Sequence, residues 1–116
     1  MGMALPDEEK QRADTLLGRL CEQKAAQHEG EQVSFTYAVS GNKVTLIESR
    51  PFFVDPREWN HVKVAQFEYN PVLEVWTLYW YDRKNRRQPY PTGRNRDLLD
   101  KLISEVSKDP TGIFWE

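Results

Sequence analysis

The sequence predicts an α+β domain: an N-terminal helix, an antiparallel meander sheet of about five strands and a C-terminal helix, with the helices packed on one sheet face. Three observations predict it. Apolar residues recur at helical spacing near each end of the chain, they alternate with period two between those ends, and the alternating runs are joined by short turns. Links that short cannot carry the crossover a parallel sheet needs.

The first helix spans residues 7 to 29. Ala13, Leu16, Leu17, Leu20 and Cys21 form its apolar stripe. Pro6 suits the start, because its missing N–H has no partner there, and Asp7, Glu8 and Glu9 complement the positive end of the helix dipole. Gly30 is its expected stop.

From Val33 the period changes to two, and Ser40-Gly41-Asn42-Lys43 has the chemistry of a tight hairpin. A Gly41-Asn42 loop sets Val39 against Val44, Tyr37 against Leu46, Phe35 against Glu48 and Val33 against Arg50. Apolar residues of both strands then share one face, with Glu48 and Arg50 at its margin and Ile47 on the other side. The run from Arg50 to Asn60 holds two prolines and reads as a connection. Its Phe52, Phe53 and Trp59 are expected to pack across an edge or end of the sheet.

A second hairpin pairs residues 62–69 with 74–82 around Asn70-Pro71-Val72-Leu73. It sets Tyr69, Phe67 and Ala65 against Glu74, Trp76 and Leu78. Thr77, Tyr79 and Tyr81 fall on the reverse face, so this strand is apolar on both sides, a pattern expected of a central or doubly covered strand. After a turn at 82–85, residues 86–90 form a fifth strand, confined to an edge by Pro89 and Pro91. Asn95 is the expected cap of a last helix with the stripe Leu98, Leu99, Leu102, Ile103 and Val106, ended by Asp109-Pro110. The tail Ile113-Phe114-Trp115 either docks on the core or offers itself to a partner.

At 116 residues the chain is expected to form a single domain, residues 1–116. A hydrophobic share of 39% and a net charge of -2 exclude disordered and membrane-embedded classes and give no global pull toward nucleic acid. One cysteine with two histidines is too few soft ligands for a zinc site, and no cofactor or metal is expected. The N-terminus lacks a secretory signal pattern and no apolar run approaches bilayer length, so a cytoplasmic, full-length protein is expected, with no membrane partner.

The segments VTLIESRP (44–51), VAQFEYNP (64–71), WTLYWYDRKNR (76–86) and DPTGIFW (109–115) together resemble a family of small uncharacterised bacterial proteins classed as a domain of unknown function. The likeness runs from about Val33 to Trp115. It implies a bacterial, soluble, single-domain protein and transfers no catalytic residue.

Three candidate sites follow from the residues. Arg83, Lys84, Arg86, Arg87, Arg94 and Arg96 form a basic stretch with no acid among them, and with Tyr90, Tyr79 or Tyr81 exposed beside it they would stack bases and neutralise phosphates. The competing reading is an edge strand guarded by charge and proline. Tyr79, Tyr81 and Ile47 mark the second, an apolar sheet face open to a protein partner or a second copy of the chain unless the 52–59 connection covers it. The third is the ion pair Glu48 and Arg50, with Glu68 or His61 in reach, which closes the end of the sheet or binds an anion. His61 as general base with Arg83 would make a small metal-independent ribonuclease. No nucleophile stands at a recognisable spacing, so a non-enzymatic binding or interaction module is the leading expectation, nucleic-acid binding the alternative and the ribonuclease the third.

Overall fold

The computed structural model describes residues 4–115. Its elements are α1 (Asp7–Gln27), β1 (Ser34–Ser40), β2 (Lys43–Pro51), β3 (Trp59–Asn70), β4 (Val75–Tyr81), β5 (Arg87–Pro89), β6 (Arg96–Asp97) and α2 (Leu99–Lys108). The strands form one antiparallel sheet in the order β1-β2-β3-β4, and the far edge of β4 is shared by β5 along Tyr79–Tyr81 and by β6 along Trp76–Thr77. The predicted helix–meander–helix architecture is therefore present, with the two-residue β6 added. No helix is long and apolar enough to cross a membrane.

One sheet face carries the core. Val44 and Leu46 of β2, Ala65, Phe67 and Tyr69 of β3, and Trp76 and Leu78 of β4 are buried beneath Ala13, Leu17 and Leu20 of α1 and Leu99, Leu102, Ile103 and Val106 of α2. Each fully buried leucine contributes about 1.5–3 kcal/mol. Leu16 and Cys21 complete the α1 stripe as half-buried neighbours. The C-terminal tail docks on the chain itself: Phe114 is buried and stacks with Tyr90, Trp115 meets Phe35 edge to face, and its indole N–H donates to Val106 O at 2.8 Å. Asp109, in the left-handed region at φ 46°, orients that tail by accepting the backbone N–H groups of Phe114 and Trp115.

The β1–β2 register is the predicted one at Val39–Val44, Tyr37–Leu46 and Phe35–Glu48. The β3–β4 register differs from expectation by two residues, with Tyr69 opposite Trp76 and Phe67 opposite Leu78. Asn70 is the cause. Its side chain accepts the N–H groups of Val72 and Leu73, its carbonyl accepts that of Glu74, and Glu74 adopts φ 55°, so the loop is residues 71–74 rather than 70–73. A shift of two preserves which side chain faces the core.

Three further expectations are corrected. Asn95 does not cap α2: its carbonyl accepts the Leu78 N–H, the chain continues as β6, and Leu98 stands exposed at the N-cap. The run from Arg50 to Asn60 is not a connection laid across the sheet: β2 and β3 run on as a paired arm to Pro51 and Trp59, and Phe52, Phe53 and Trp59 stay exposed, Phe53 at 94% on its tip. β4 is not covered on both faces, because both helices lie on the core side and the face bearing Thr77, Tyr79 and Tyr81 has no layer over it.

A β-bulge sets the sheet's outline. Leu46 pairs with Ala65 but Ile47 pairs with Lys63, so Val64 is an extra residue in β3. Val64 and Ala65 are consecutive and both buried, and before the bulge the alternation reverses, directing Trp59, His61 and Lys63 to the open face. The 12-residue β3 would span roughly 40 Å, which accounts for the molecule's 45 Å long axis.

Candidate functional site

The open face of the sheet presents Thr45 and Ile47 from β2, Lys63, Gln66 and Glu68 from β3, Thr77, Tyr79 and Tyr81 from β4, Arg87 from β5 and Arg96 from β6, as the strand registers dictate. Tyr79, Tyr81 and Ile47 are half-buried by their neighbours and remain accessible to solvent. The guanidinium of Arg87 sits over the Tyr79 ring, 3.9 Å from its centroid, and is held there by Gln66 Oε1 at 2.9 Å and Glu68 Oε1 at 2.8 Å. Gln66 in turn donates to Thr45 Oγ1 at 3.0 Å. The Lys63 ammonium lies 5.4 Å from the centroid of Tyr81. Burial holds the Tyr81 hydroxyl above its ordinary pKa, with Arg87 and Thr45 opposing the shift.

Each tyrosine is therefore paired with a cation. Lys43, next to Thr45 in the pairing of β2 with β3, and Arg96, opposite Thr77, add two more positive charges at the margin of a face whose central acid is Glu68. The expected apolar patch of Tyr79, Tyr81 and Ile47 is in the structure an aromatic and cationic surface.

The basic stretch 83–96 does not gather on one surface. Arg87 and Arg96 stand on the open face, whereas Arg83, Lys84 and Arg86 lie in the turn after β4. That turn is built on Asp82, whose carboxylate accepts the backbone N–H groups of Lys84 and Arg86 and the side chains of Arg86 and Gln88. These bonds, the Arg86 N–H foremost, hold the Asp82 carboxyl below the usual carboxylate range. Asn85 takes the positive φ, 60°, that closes the turn. Arg94 belongs to the exposed loop before β6.

Tyr90 must be withdrawn from the binding set. It is 1% exposed, stacks on Phe114 and donates its hydroxyl to Glu105 Oε2 at 2.8 Å. One residue past β5, its N–H bonds the Leu78 carbonyl, which turns the ring under the sheet toward α2.

Glu48 and Arg50 form the expected pair, at 3.0 Å, with Arg50 exposed and Glu48 partly so. Neither proposed companion joins them. Glu68 is bound to Arg87, and His61 shares a 2.7 Å hydrogen bond through Nδ1 with the buried Ser49 on the other side of the arm.

Sequence reasoning missed a groove of about 880 Å³ where β4 stops short of β3. Asn60–Val64 form one wall and Trp80–Arg86 the other, with Ile113 and Phe114 at one side. It brings His61 and Lys63 beside Arg83, Lys84 and Arg86. Two missed residues act on the open face, Gln66 holding Arg87 and Thr45 holding Gln66; their polar side chains at outward-counted positions of β2 and β3 were the available signal.

A family model matches residues 5–116, and its description reads Domain of unknown function (DUF3024). The chain belongs to this family. The match takes in α1 as well as the sheet and α2, so the whole described fold is the family's domain rather than a core with an appended helix. No curated protein and no solved structure matches the chain.

Proposed function

We propose that the chain is a binding domain that takes single-stranded nucleic acid on the open face of its sheet. The observation that supports this most is the Arg87 guanidinium seated on Tyr79 and anchored by Gln66 and Glu68. A guanidinium fixed in that way offers its outer plane to a base, while Tyr81 under Lys63 offers a second stacking position about 7 Å along the strand. Lys43, Lys63 and Arg96 are placed to neutralise phosphates. A flat sheet surface suits an unpaired strand, whose bases are free to stack, rather than a duplex. The cations between the tyrosines count against the leading expectation, an apolar face for a protein partner. A cytoplasmic location fits the proposal, since single-stranded RNA is abundant there and the lone Cys21 stays reduced.

The test is a fluorescence-anisotropy titration with a labelled oligouridylate at several salt concentrations. Three phosphate contacts give a log–log salt slope of about -2, or roughly a twentyfold loss of affinity for a fourfold rise in salt. Tyr79→Ala or Arg87→Gln removes a stacking position and weakens binding by about tenfold or more. Absence of binding at low salt, or affinity indifferent to both substitutions, refutes the proposal. Cleavage of the RNA that disappears in His61→Ala would favour the ribonuclease instead.

A further inference from the structure

We propose that two copies of this chain associate through the free edge of β3 at Trp59–Lys63, pairing antiparallel about a two-fold axis at His61, each arm tip lodged in the other copy's groove. This surface is the sheet's edge; it shares Lys63 with the open-face reading but does not rest on that reading.

The edge is unguarded. β4 pairs with β3 only from Ala65 to Asn70, so residues 59–64 have no strand on that side among the described residues, and alternate N–H and C=O groups there face the groove. Within Trp59-Asn60-His61-Val62-Lys63 there is no proline and one charge, Lys63, which pairing about His61 would set on the partner's Trp59.

The arm is also unusually apolar. Phe52 is 43% exposed, Phe53 94%, Val54 74%, Trp59 46% and Val62 47%. Taking about 200 Å² for a fully exposed aromatic side chain, these five expose on the order of 550 Å². Spread over both faces of the arm and its tip, that area is most of the roughly 800 Å² per partner that a stable dimer buries. The backbone edge and the groove walls supply the remainder.

The segment complements itself. Pairing about His61 sets Trp59 against the partner's Lys63 on the open face, a cation on an indole, and Asn60 against the partner's Val62 on the other side. The partner's chain then continues from Trp59 back through Glu58 to Phe53, past Val64 and along the 82–86 turn. The arm tip carries two acids, Asp55 and Glu58, and one base, Arg57, whereas the turn carries three bases, Arg83, Lys84 and Arg86, and one acid, Asp82. Opposite signs meet, and Ile113 and Phe114 give the tip's phenylalanines an apolar side of the groove to rest on. A two-fold axis normal to the sheet also leaves both open faces on the same side, as one continuous surface.

Sedimentation equilibrium of the full chain tests this. A dimer is expected at about 100 μM, and Phe53→Glu with Val54→Glu should convert it to a monomer with an unchanged far-UV circular dichroism spectrum, since both side chains are exposed. In a Cys21→Ser background, His61→Cys places two thiols within disulfide range across the axis, about 4.5–5.5 Å between Cα atoms, and mild oxidation should link the copies. A chain that is monomeric throughout, a dimer that survives the Phe53→Glu and Val54→Glu changes, or a dimer that resists cross-linking through His61→Cys overturns the proposal.

Discussion

Replacing Tyr90 separates a structural tyrosine from a binding one. Tyr90→Phe removes only the hydroxyl that donates to Glu105, and the ring stays stacked on Phe114 at 5.3 Å. A hydrogen bond to a buried charged group is worth about 1.5–3 kcal/mol; Glu105 is only half-buried, water can replace the lost partner, and about 1 kcal/mol is expected. For a chain of this size that lowers Tm by roughly 4 °C. Tyr90→Ala also leaves a ring-sized void among Phe114, Leu78 and α2 and should cost about 3–5 kcal/mol, a large part of a total stability of about 5–15 kcal/mol. Urea unfolding of both variants measures these values, and oligonucleotide titration of Tyr90→Phe should show wild-type affinity. The pH dependence has a definite sign. Burial, with Glu105 reinforcing it, raises the Tyr90 hydroxyl's pKa in the folded state. The associated stability is therefore fully present below the unfolded tyrosine value of about 10 and is lost as pH rises through the folded value. Tyr90→Phe should abolish that part of the alkaline loss. A Tyr90→Ala variant that unfolds like wild type but no longer binds would show that Tyr90 is a surface stacking residue and refute the reasoning.

Asp82 should behave in the opposite sense: its carboxyl is held low, so its contribution to the 82–86 turn is present above the ordinary carboxylate value and lost as pH falls through the folded one. The Arg86 amide resonance should report that titration in acid, and Asp82→Asn should remove it. Glu74 pays for its φ of 55° as a non-glycine residue, so Glu74→Gly should stabilise the β3–β4 hairpin by up to about 1 kcal/mol, read as a Tm rise of a few degrees; a fall would show that the Glu74 side chain contributes more than its backbone costs.

The first hairpin was legible because two local signals agree there. The Gly41-Asn42 loop and the alternation of Tyr37, Val39, Val44 and Leu46 demand the same register, and Gly41 takes the positive φ of 61° that its turn needs. In the second hairpin the loop was the weaker signal, since Asn70 can start the turn or end the strand, and only its side-chain bonds to Val72 and Leu73 decide. The faces survived because the error was even. Tyr90 was misplaced for a different reason. An aromatic between two prolines beside arginines reads as an edge residue, yet the chain's departure from β5 turns it under the sheet to a carboxylate on α2, a contact 15 residues away. Arg87 and Tyr79 were each named, but their union needed the β4–β5 register and two partners on β3, which no local pattern encodes.

Val64 joins the open face to the free edge. Strict alternation back from Ala65 would put Lys63 and His61 on the helix-covered side and Val62 and Val64 on the open one, as the valines' spacing suggests. One extra residue reverses this. It buries Val64, brings Lys63 over Tyr81 and points His61 and Trp59 the same way as Arg87. It also lies where β4 ends, because the chain turns away at Asp82 just past Tyr81, the residue that follows the last β3–β4 pair, Ala65–Trp80. Bulges bend strands and commonly terminate pairing; here the strand that escapes its neighbour carries the arm with Phe53 at its tip. A surface that aligns a lysine with a tyrosine and an edge that leaves six residues of β3 without a partner on one side thus have one local cause, and a sequence pattern read with period two passes over it because the only mark it leaves is two consecutive buried residues.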